Sequence, residues 1–395
     1  MSKGKNSFDF SLFRWLGGYS GVWLTLYPFV YLLLARKRAL TDSAAVDASA
    51  MGFVLYTFIA FFIACKDLSR YKSREWLGLM FHSPLLWFVL YSMLALVSVC
   101  WSVDAKMTGY RTFEAFSMMI LIVAALLNVT QKGGVNVLFN WTAMYAVLTI
   151  FAQFLTHAKS YFNLMYLLQS SQMFAPVLFY AVIFSTCEKW KKYIVVFFSL
   201  ASGSTVSYIG MTFGSVSFLN HKKAKLFAVV TFSTLAFAAA IVGPSVMLKE
   251  TLFADKAEIS LEHTSGRNHV MNTVMDTLPD NPLGNGFFAG EPFILYQYYS
   301  GAINGHNSFF SAALGLGYPG VLLMLFFFGH LGILVMFNKL PKHVKACLFG
   351  CFCVAFLNSM GNPGVGSRVY GGWMSTMYIY VMISMLTLKS RKLSL

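Results

Sequence analysis

Apolar stretches recur along the whole sequence, and most of them have the length of a bilayer-spanning helix, about 20 residues. Eleven are visible, near 18–35, 48–65, 84–101, 112–129, 134–156, 167–186, 193–220, 226–247, 307–337, 346–357 and 373–388. Only 11% of the 395 residues are charged, whereas a soluble domain carries about 25%. The sequence therefore predicts an all-α, multi-span membrane protein and excludes a soluble enzyme or a secreted disulfide scaffold.

The stretch 193–220 differs from the others because basic clusters flank it on both sides, at 189–192 and 222–225. It is too short for two full spans, so we expect a hairpin of two half-depth helices with its tip at 202–205. Non-helical backbone at membrane depth is tolerated only beside protein or a water-filled cavity. With this hairpin, the sequence predicts about 12 transmembrane helices in one integral membrane domain covering residues 1–395.

The basic residues are distributed unequally between the two sides of the predicted bundle. With both termini in the cytoplasm, 20 of the 30 lysines and arginines fall in cytoplasmic segments. This bias follows the positive-inside rule, and the cluster at 36–38 is its main exception. Short basic clusters between apolar spans orient helices, so the net charge of +15 does not indicate a nucleic-acid partner.

The largest polar segment, 248–305, lies on the external side in this topology. It contains seven of the 15 acidic residues of the chain. A loop of this length in a compact protein is usually functional. We therefore expect an external loop that bears short helices and part of an active site.

Within this loop, the segment after Ser265 and Gly266 predicts a helix that Pro279 ends, with Ser265 as its N-cap. At about 100° per residue, Arg267 falls in the middle of an apolar stripe. The stripe consists of Val270, Met271, Val274, Met275 and Leu278. An arginine that faces the core needs an anionic partner. Two alternatives are open for Arg267: a structural pair with an acidic residue of the loop, or a ligand for phosphate or pyrophosphate.

His306 and Asn307 precede an apolar helix that is predicted to begin at Phe309. A helix N-terminus disfavours imidazolium, so a neutral His306 ring there is able to accept a proton. The alternative is an interfacial anchor without a chemical role.

Two further arginines fall on the external side, which is otherwise poor in positive charge. Arg111 stands three residues before Glu114, so a local ion pair is the alternative to a role in ligand binding. Arg368 follows a glycine-rich turn at 362–367, and its alternative is a snorkelling side chain at the interface. Both are candidates to hold an anionic ligand.

The ordered set of these motifs resembles the superfamily of O-antigen ligases and Wzy-type O-antigen polymerases, which are bacterial membrane glycosyltransferases. The set comprises Trp101-Ser102 followed by Arg111, the hairpin, Ser-Gly-Arg at 265–267, Asn-Pro-Leu-Gly-Asn-Gly at 281–286, His-Asn at 306–307 and Gly-Leu-Gly-Tyr-Pro-Gly at 315–320. The likeness covers most of the chain.

The resemblance implies transfer of a saccharide from undecaprenyl pyrophosphate to a glycan or lipid A-core acceptor, on the periplasmic face of the bacterial inner membrane. His306 would be the catalytic base of an inverting reaction. Arginines 267, 111 and 368 would bind the pyrophosphate, while Asn307, Ser265, Gly266 and Tyr208 would support them. No metal or other cofactor is expected.

One position departs from the pattern that the resemblance implies. The family often has Ser-Arg-Gly at the start of the second helix of the hairpin, and here Tyr208 stands where the arginine is expected. One pyrophosphate contact is therefore either missing or supplied by another residue, such as Arg368 or Arg111. A transporter or flippase of lipid-linked sugars and a non-catalytic membrane scaffold are the alternative functions.

Overall fold

The computed structural model describes residues 17–34, 48–157, 180–181, 267–298, 307–361, 364–369 and 371–392. All regular structure within these residues is helical, which confirms the predicted all-α class. The hairpin at 193–220 and the apolar stretches at 167–186 and 226–247 lie outside this part of the chain. Their predicted structure therefore stays a prediction.

The described part of the chain forms a bundle of long apolar helices and a few short ones. In chain order they are α1 (Gly18–Leu34), α2 (Ala48–Leu68), α3 (Ser73–Phe81), α4 (Leu85–Val97), α5 (Ala105–His157), α6 (Arg267–Thr277), α7 (Gly290–Tyr298), α8 (Ser308–Phe337), α9 (Lys342–Gly361) and α10 (Gly371–Lys392). A 3-10 turn follows α4 at Ser98–Cys100, and a second one at Gly364–Gly366 precedes α10.

Five described helical segments are long and apolar enough to cross a membrane. They are Met51–Leu68, Ala105–Gln131, Gly134–Ala152, Ser308–Phe337 and Lys342–Met360. A sixth span results if α3 and the helix that follows it, which meet at an angle of 81°, count as one. The chain is a multi-pass membrane protein.

The first half of α5 lies at the centre of the bundle and is almost entirely buried by other helices. It packs against α1, α2, α4 and α10, while α8 packs against α4 and α9. A helix that is apolar all round is stable in such a position because neighbouring helices cover every face. This arrangement fixes the beginning of α5 relative to the beginning of α8.

Backbone breaks interrupt both of the longest helices at a glycine. Gly134 divides α5 with φ 70°, and Gly317 divides α8 with φ 63°. Left-handed backbone of this kind is accessible to glycine at little cost. The break in α5 agrees with the two separate spans predicted at 112–129 and 134–156, whereas α8 was predicted as one apolar stretch at 307–337.

The predicted apolar face of α6 was correct at Val270 and Val274 and wrong at Met271 and Met275. Its described side chains are buried at Val270, Thr273, Val274 and Thr277, while Met271 and Met275 are 45% and 66% exposed. Thr277 can be buried because its hydroxyl donates to the Thr273 carbonyl of the same helix, at 2.7 Å. The side chain of Arg267 lies outside the described residues, so its predicted environment stays a prediction.

Candidate functional site

The loop at 281–290 is joined to the broken part of α8 by three backbone hydrogen bonds. The Tyr318 amide donates to the Pro282 carbonyl at 2.9 Å, and the amides of Asn285 and Gly286 donate to the carbonyls of Leu314 and Gly315 at 3.1 and 2.9 Å. Pro319 has no N–H, so α8 itself cannot satisfy the Gly315 carbonyl. Backbone hydrogen bonds therefore join the two glycine-rich motifs, Asn-Pro-Leu-Gly-Asn-Gly at 281–286 and Gly-Leu-Gly-Tyr-Pro-Gly at 315–320.

Glycine is required on both sides of this junction. Gly284 and Gly317 have φ of 70° and 63°, respectively. A Cβ on Gly317 would lie 2.0 Å from the Pro282 carbonyl oxygen, and one on Gly284 would lie 2.5 Å from the Gly315 carbonyl carbon. Any side chain at either position would separate the two backbones.

The same loop also contacts the segment that begins with the Trp-Ser motif. The Trp101 indole N–H donates to the Leu283 carbonyl at 3.3 Å, and the Val103 amide donates to the Asn285 carbonyl at 3.1 Å. One turn further, the Thr108 hydroxyl donates to the Phe287 carbonyl at 3.0 Å. Three of the sequence motifs thus meet at one end of the bundle.

Arg111 lies on α5 next to this loop and forms the local ion pair that was one of its two predicted roles. Its Nη1 is 2.8 Å from Oε2 of Glu114, which is completely buried. The guanidinium carbon lies 5.1 Å from the centre of the Phe288 ring and 5.3 Å from that of Tyr110. Within the described residues, Nε of Arg111 and Oε1 of Glu114 have no hydrogen-bond partner.

Arg368 reaches the 281–290 loop region from a different element. It follows the 3-10 turn at Gly364–Gly366, and it is exposed. The residue before it, Ser367, donates a hydrogen bond to Glu291, which directly follows the 281–290 loop. Arg111 and the backbone that carries Arg368 therefore both lie beside this loop.

Asn307 has a structural task at the beginning of α8. It is the N-cap of this helix, and its Oδ1 accepts a hydrogen bond from the Phe309 amide at 2.8 Å. The helix begins at Ser308, one residue before the predicted start. His306, which directly precedes this cap in the sequence, lies outside the described residues.

Several other predicted site residues cannot be located in this arrangement. Ser265, Gly266 and Tyr208 lie outside the described residues, and so does the side chain of Arg267. The structure brings together Arg111, Arg368 and the loop, and it leaves the remaining predicted contacts as predictions.

Glu291 is a residue of this region that the sequence analysis did not single out. It lies in the first turn of α7 and is 1% exposed. The hydroxyls of Ser311 and Ser367 donate to its carboxylate at 2.5 and 2.9 Å. The available signal was the sequence Gly-Glu-Pro at 290–292, because a proline and an acidic residue both favour the first turn of a helix.

Arg111 offers hydrogen-bond donors for an anionic ligand in the described site. Its Nη1 pairs with Glu114, while its Nε has no hydrogen-bond partner among the described residues. A planar guanidinium binds phosphate through paired N–H donors. In the described part of the chain, no group of three or more His, Cys, Asp or Glu side chains is placed to hold a metal ion.

Comparison with known proteins does not extend these observations. No protein-family profile matches the chain, and no curated protein sequence matches it.

Proposed function

We propose that this chain is a membrane glycosyltransferase of the O-antigen ligase and polymerase type, which moves a saccharide from undecaprenyl pyrophosphate to an acceptor glycan or lipid A-core. The observation that carries the proposal is the position of Arg111, which pairs with Glu114 and lies against Phe288 of the 281–290 loop. Ser367, the residue before Arg368, is hydrogen-bonded to Glu291 directly after the same loop. The 281–290 loop contacts the Trp-Ser segment and the broken part of α8. These three segments are far apart in the sequence, and they carry motifs on which the resemblance to this superfamily rests.

The arginines would bind the pyrophosphate of the donor and offset the charge that develops on it during transfer. Leaving-group stabilisation by fixed positive charge is strongest where water is excluded. Arg111 meets this condition because its side chain is only 21% exposed and lies against two aromatic rings. Arg368 is exposed and would reach the part of the pyrophosphate nearer to water.

The reaction would be a single displacement at the anomeric carbon. The acceptor hydroxyl would form the new C–O bond while the bond to the pyrophosphate oxygen breaks, and undecaprenyl pyrophosphate would leave. In this proposal His306 takes the proton of the hydroxyl. It directly precedes the N-cap of α8 in the sequence, and a helix N-terminus favours a neutral imidazole that can accept a proton. The configuration at the anomeric carbon would invert.

The proposal places this end of the bundle on the periplasmic side of a bacterial inner membrane. It includes about 12 spans, cytoplasmic termini, a single membrane domain over 1–395 and a periplasmic loop at 248–305. The five described spans and the distribution of lysine and arginine support it. Labelling of single cysteines introduced into the 281–290 loop of intact cells tests the side: the loop is expected to react with an impermeant reagent.

The surface glycan of a deletion strain tests the function. Loss of transfer is expected to leave single repeat units on lipid A-core if the chain is a polymerase, and unattached polymer if it is a ligase. His306→Ala and Arg267→Ala are expected to give the same gel pattern as the deletion although the protein is inserted and abundant. Normal glycan from an abundant His306→Ala variant would contradict the catalytic role of this residue.

A flippase for lipid-linked sugars is the second candidate. Buried ionisable residues inside spans are typical of transporters, and Glu114 and Asp67 are both completely buried. The two functions differ in the side on which lipid-linked repeat units accumulate in the deletion strain. Periplasmic accumulation supports a transferase, and cytoplasmic accumulation supports a flippase.

A further inference from the structure

Two segments that carry proposed site residues meet the 281–290 loop at one buried carboxylate, that of Glu291. They are the beginning of α8 and the turn before Arg368. We propose that Glu291 is a positioning residue, which fixes Arg368 and the residues before α8 relative to the 281–290 loop. This inference rests on the proposed transferase function.

The Glu291 side chain bridges α8 and the turn before α10. The Ser311 hydroxyl donates to Oε1 at 2.5 Å, and the Ser367 hydroxyl donates to Oε2 at 2.9 Å. Both carboxylate oxygens thus accept a hydrogen bond, as an ionised carboxylate does. Hydrogen bonds to a charged acceptor are roughly twice as strong as neutral ones, so the bridge resists displacement of either serine.

The bridge to Ser367 controls the turn from which Arg368 extends. The Tyr91 hydroxyl donates to the Gly366 carbonyl at 3.1 Å. A Cβ on Gly366 would lie 2.1 Å from the Ser308 carbonyl oxygen, so the turn is in direct contact with the beginning of α8. Ser367 is 1% exposed, and Arg368 is the residue that follows it. A shift of Ser367 would therefore move the Arg368 guanidinium.

The bridge to Ser311 controls the first turn of α8. The Ser311 amide donates to the Asn307 carbonyl at 3.0 Å, and Asn307 caps the helix. Ser311 is 2% exposed, so its hydroxyl has no water to replace the carboxylate. A shift of this turn would move the N-cap and the proposed base His306, which precedes it.

The two bridges lead to different kinetic expectations, whereas a purely structural role does not. Removal of the Ser367 hydroxyl should weaken binding of the donor pyrophosphate through Arg368, and this raises the KM for the donor. Removal of the Ser311 hydroxyl should misplace the proton acceptor, and this lowers kcat. A residue that only stabilises the fold would change the amount of folded protein and neither constant.

The experiment compares Ser367→Ala with Ser311→Ala in the full-length protein, reconstituted in liposomes with an undecaprenyl-pyrophosphate-linked oligosaccharide as donor. We expect Ser367→Ala to raise the donor KM about tenfold and Ser311→Ala to lower kcat about tenfold, since each loses a hydrogen bond to a charged group. Ser367→Thr keeps the hydroxyl and should restore the donor KM. Ser92→Ala, at a buried serine that donates to its own helix, is the matched control.

The serine variants keep the test informative if Glu291→Ala does not fold. If the wild-type protein transfers saccharide and the two serine variants change KM and kcat equally, or change neither, the positioning role is wrong and the proposed function stands. If the wild-type protein does not transfer saccharide from this donor, the proposed function is wrong, and the positioning role falls with it. Separate effects on KM and kcat, with rescue by Ser367→Thr, would support the proposal.

Discussion

Arg111 and Glu114 form an ion pair on the same face of α5, with Nη1 of the arginine 2.8 Å from Oε2 of the glutamate. The glutamate is completely buried, and the arginine is 21% exposed. The pair holds one edge of the guanidinium, while Nε has no hydrogen-bond partner in the described part of the chain. Glu114 thus orients an arginine that retains donors for an anion.

Separate replacement of one member of this pair should destabilise the protein more than combined replacement of both. Glu114→Ala leaves the Arg111 charge without its partner, so we expect the free energy of unfolding to fall by about 3 kcal/mol. The double variant Arg111→Met, Glu114→Leu removes both charges and should be close to wild type in thermal unfolding while it does not transfer saccharide. A double variant less stable than Glu114→Ala would contradict this account.

Phe288 should contribute to donor binding through Arg111. Its ring lies 5.1 Å from the guanidinium carbon, and a contact of this kind contributes about 1 kcal/mol. Phe288→Leu is therefore expected to raise the KM for the lipid-linked donor about fivefold. Phe293→Leu, at an aromatic residue of α7 that is 46% exposed, serves as the control. Equal effects of both substitutions would show that the cation–π contact is unimportant.

The break in α8 should tolerate no side chain at Gly317. This residue has φ 63°, and a Cβ would lie 2.0 Å from the Pro282 carbonyl oxygen. We expect Gly317→Ala to lower the free energy of unfolding by about 2 kcal/mol or more and to expose the 281–290 loop to proteolysis. Gly329→Ala, on the same helix with no atom within 4 Å of the added Cβ, should be neutral or slightly stabilising. A stable, protease-resistant Gly317→Ala variant would be inconsistent with the hydrogen-bonded junction between this loop and α8.

The buried carboxylate of Asp67 should affect stability without affecting transfer. Asp67 accepts hydrogen bonds from the Ser20 amide and hydroxyl at 2.8 and 2.7 Å, and from the Asn128 side chain at 3.2 Å. Asn128 is roughly 25 Å along the helix axis from Arg111 at 1.5 Å per residue. Asp67→Ala should therefore cost about 2 kcal/mol and leave kcat and KM of the folded protein unchanged.

Half-buried Glu75 provides the control for Asp67. Its hydrogen-bond partner Gln131 is exposed, so Glu75→Ala removes a carboxylate near the same end of the bundle without leaving a buried partner unpaired. If Asp67→Ala changed the donor KM tenfold at equal folded concentration, the conclusion that Asp67 acts on stability alone would be wrong.

The sequence predicted the helical class and the positions of most described spans because apolar length is a strong signal in a membrane protein. It also predicted the Arg111–Glu114 pair as one alternative, since residues three apart on a helix are neighbours. Both depend on local spacing. Three of the motifs that carry the resemblance, at 101–102, 281–286 and 315–320, are in contact in the described part of the chain, and the resemblance itself stays a prediction.

The sequence could not predict features that depend on which neighbour covers a surface. The buried face of α6 is set by its packing against α7 and α8, so the apolar stripe alone placed Met271 and Met275 wrongly. Glu291 stood among six other acidic residues of one loop. Its two serine partners come from separate elements, and only the folded chain brings them together.

The most direct test of the central claim is the reaction of the purified protein in liposomes with an undecaprenyl-pyrophosphate-linked oligosaccharide. We expect release of one undecaprenyl pyrophosphate for each glycosidic bond formed, with the anomeric configuration inverted, and no release by Arg111→Gln or Arg368→Gln at matched amounts of folded protein. Intact donor after prolonged incubation with the folded wild-type protein and its acceptor, or unchanged turnover in both arginine variants, would contradict the claim.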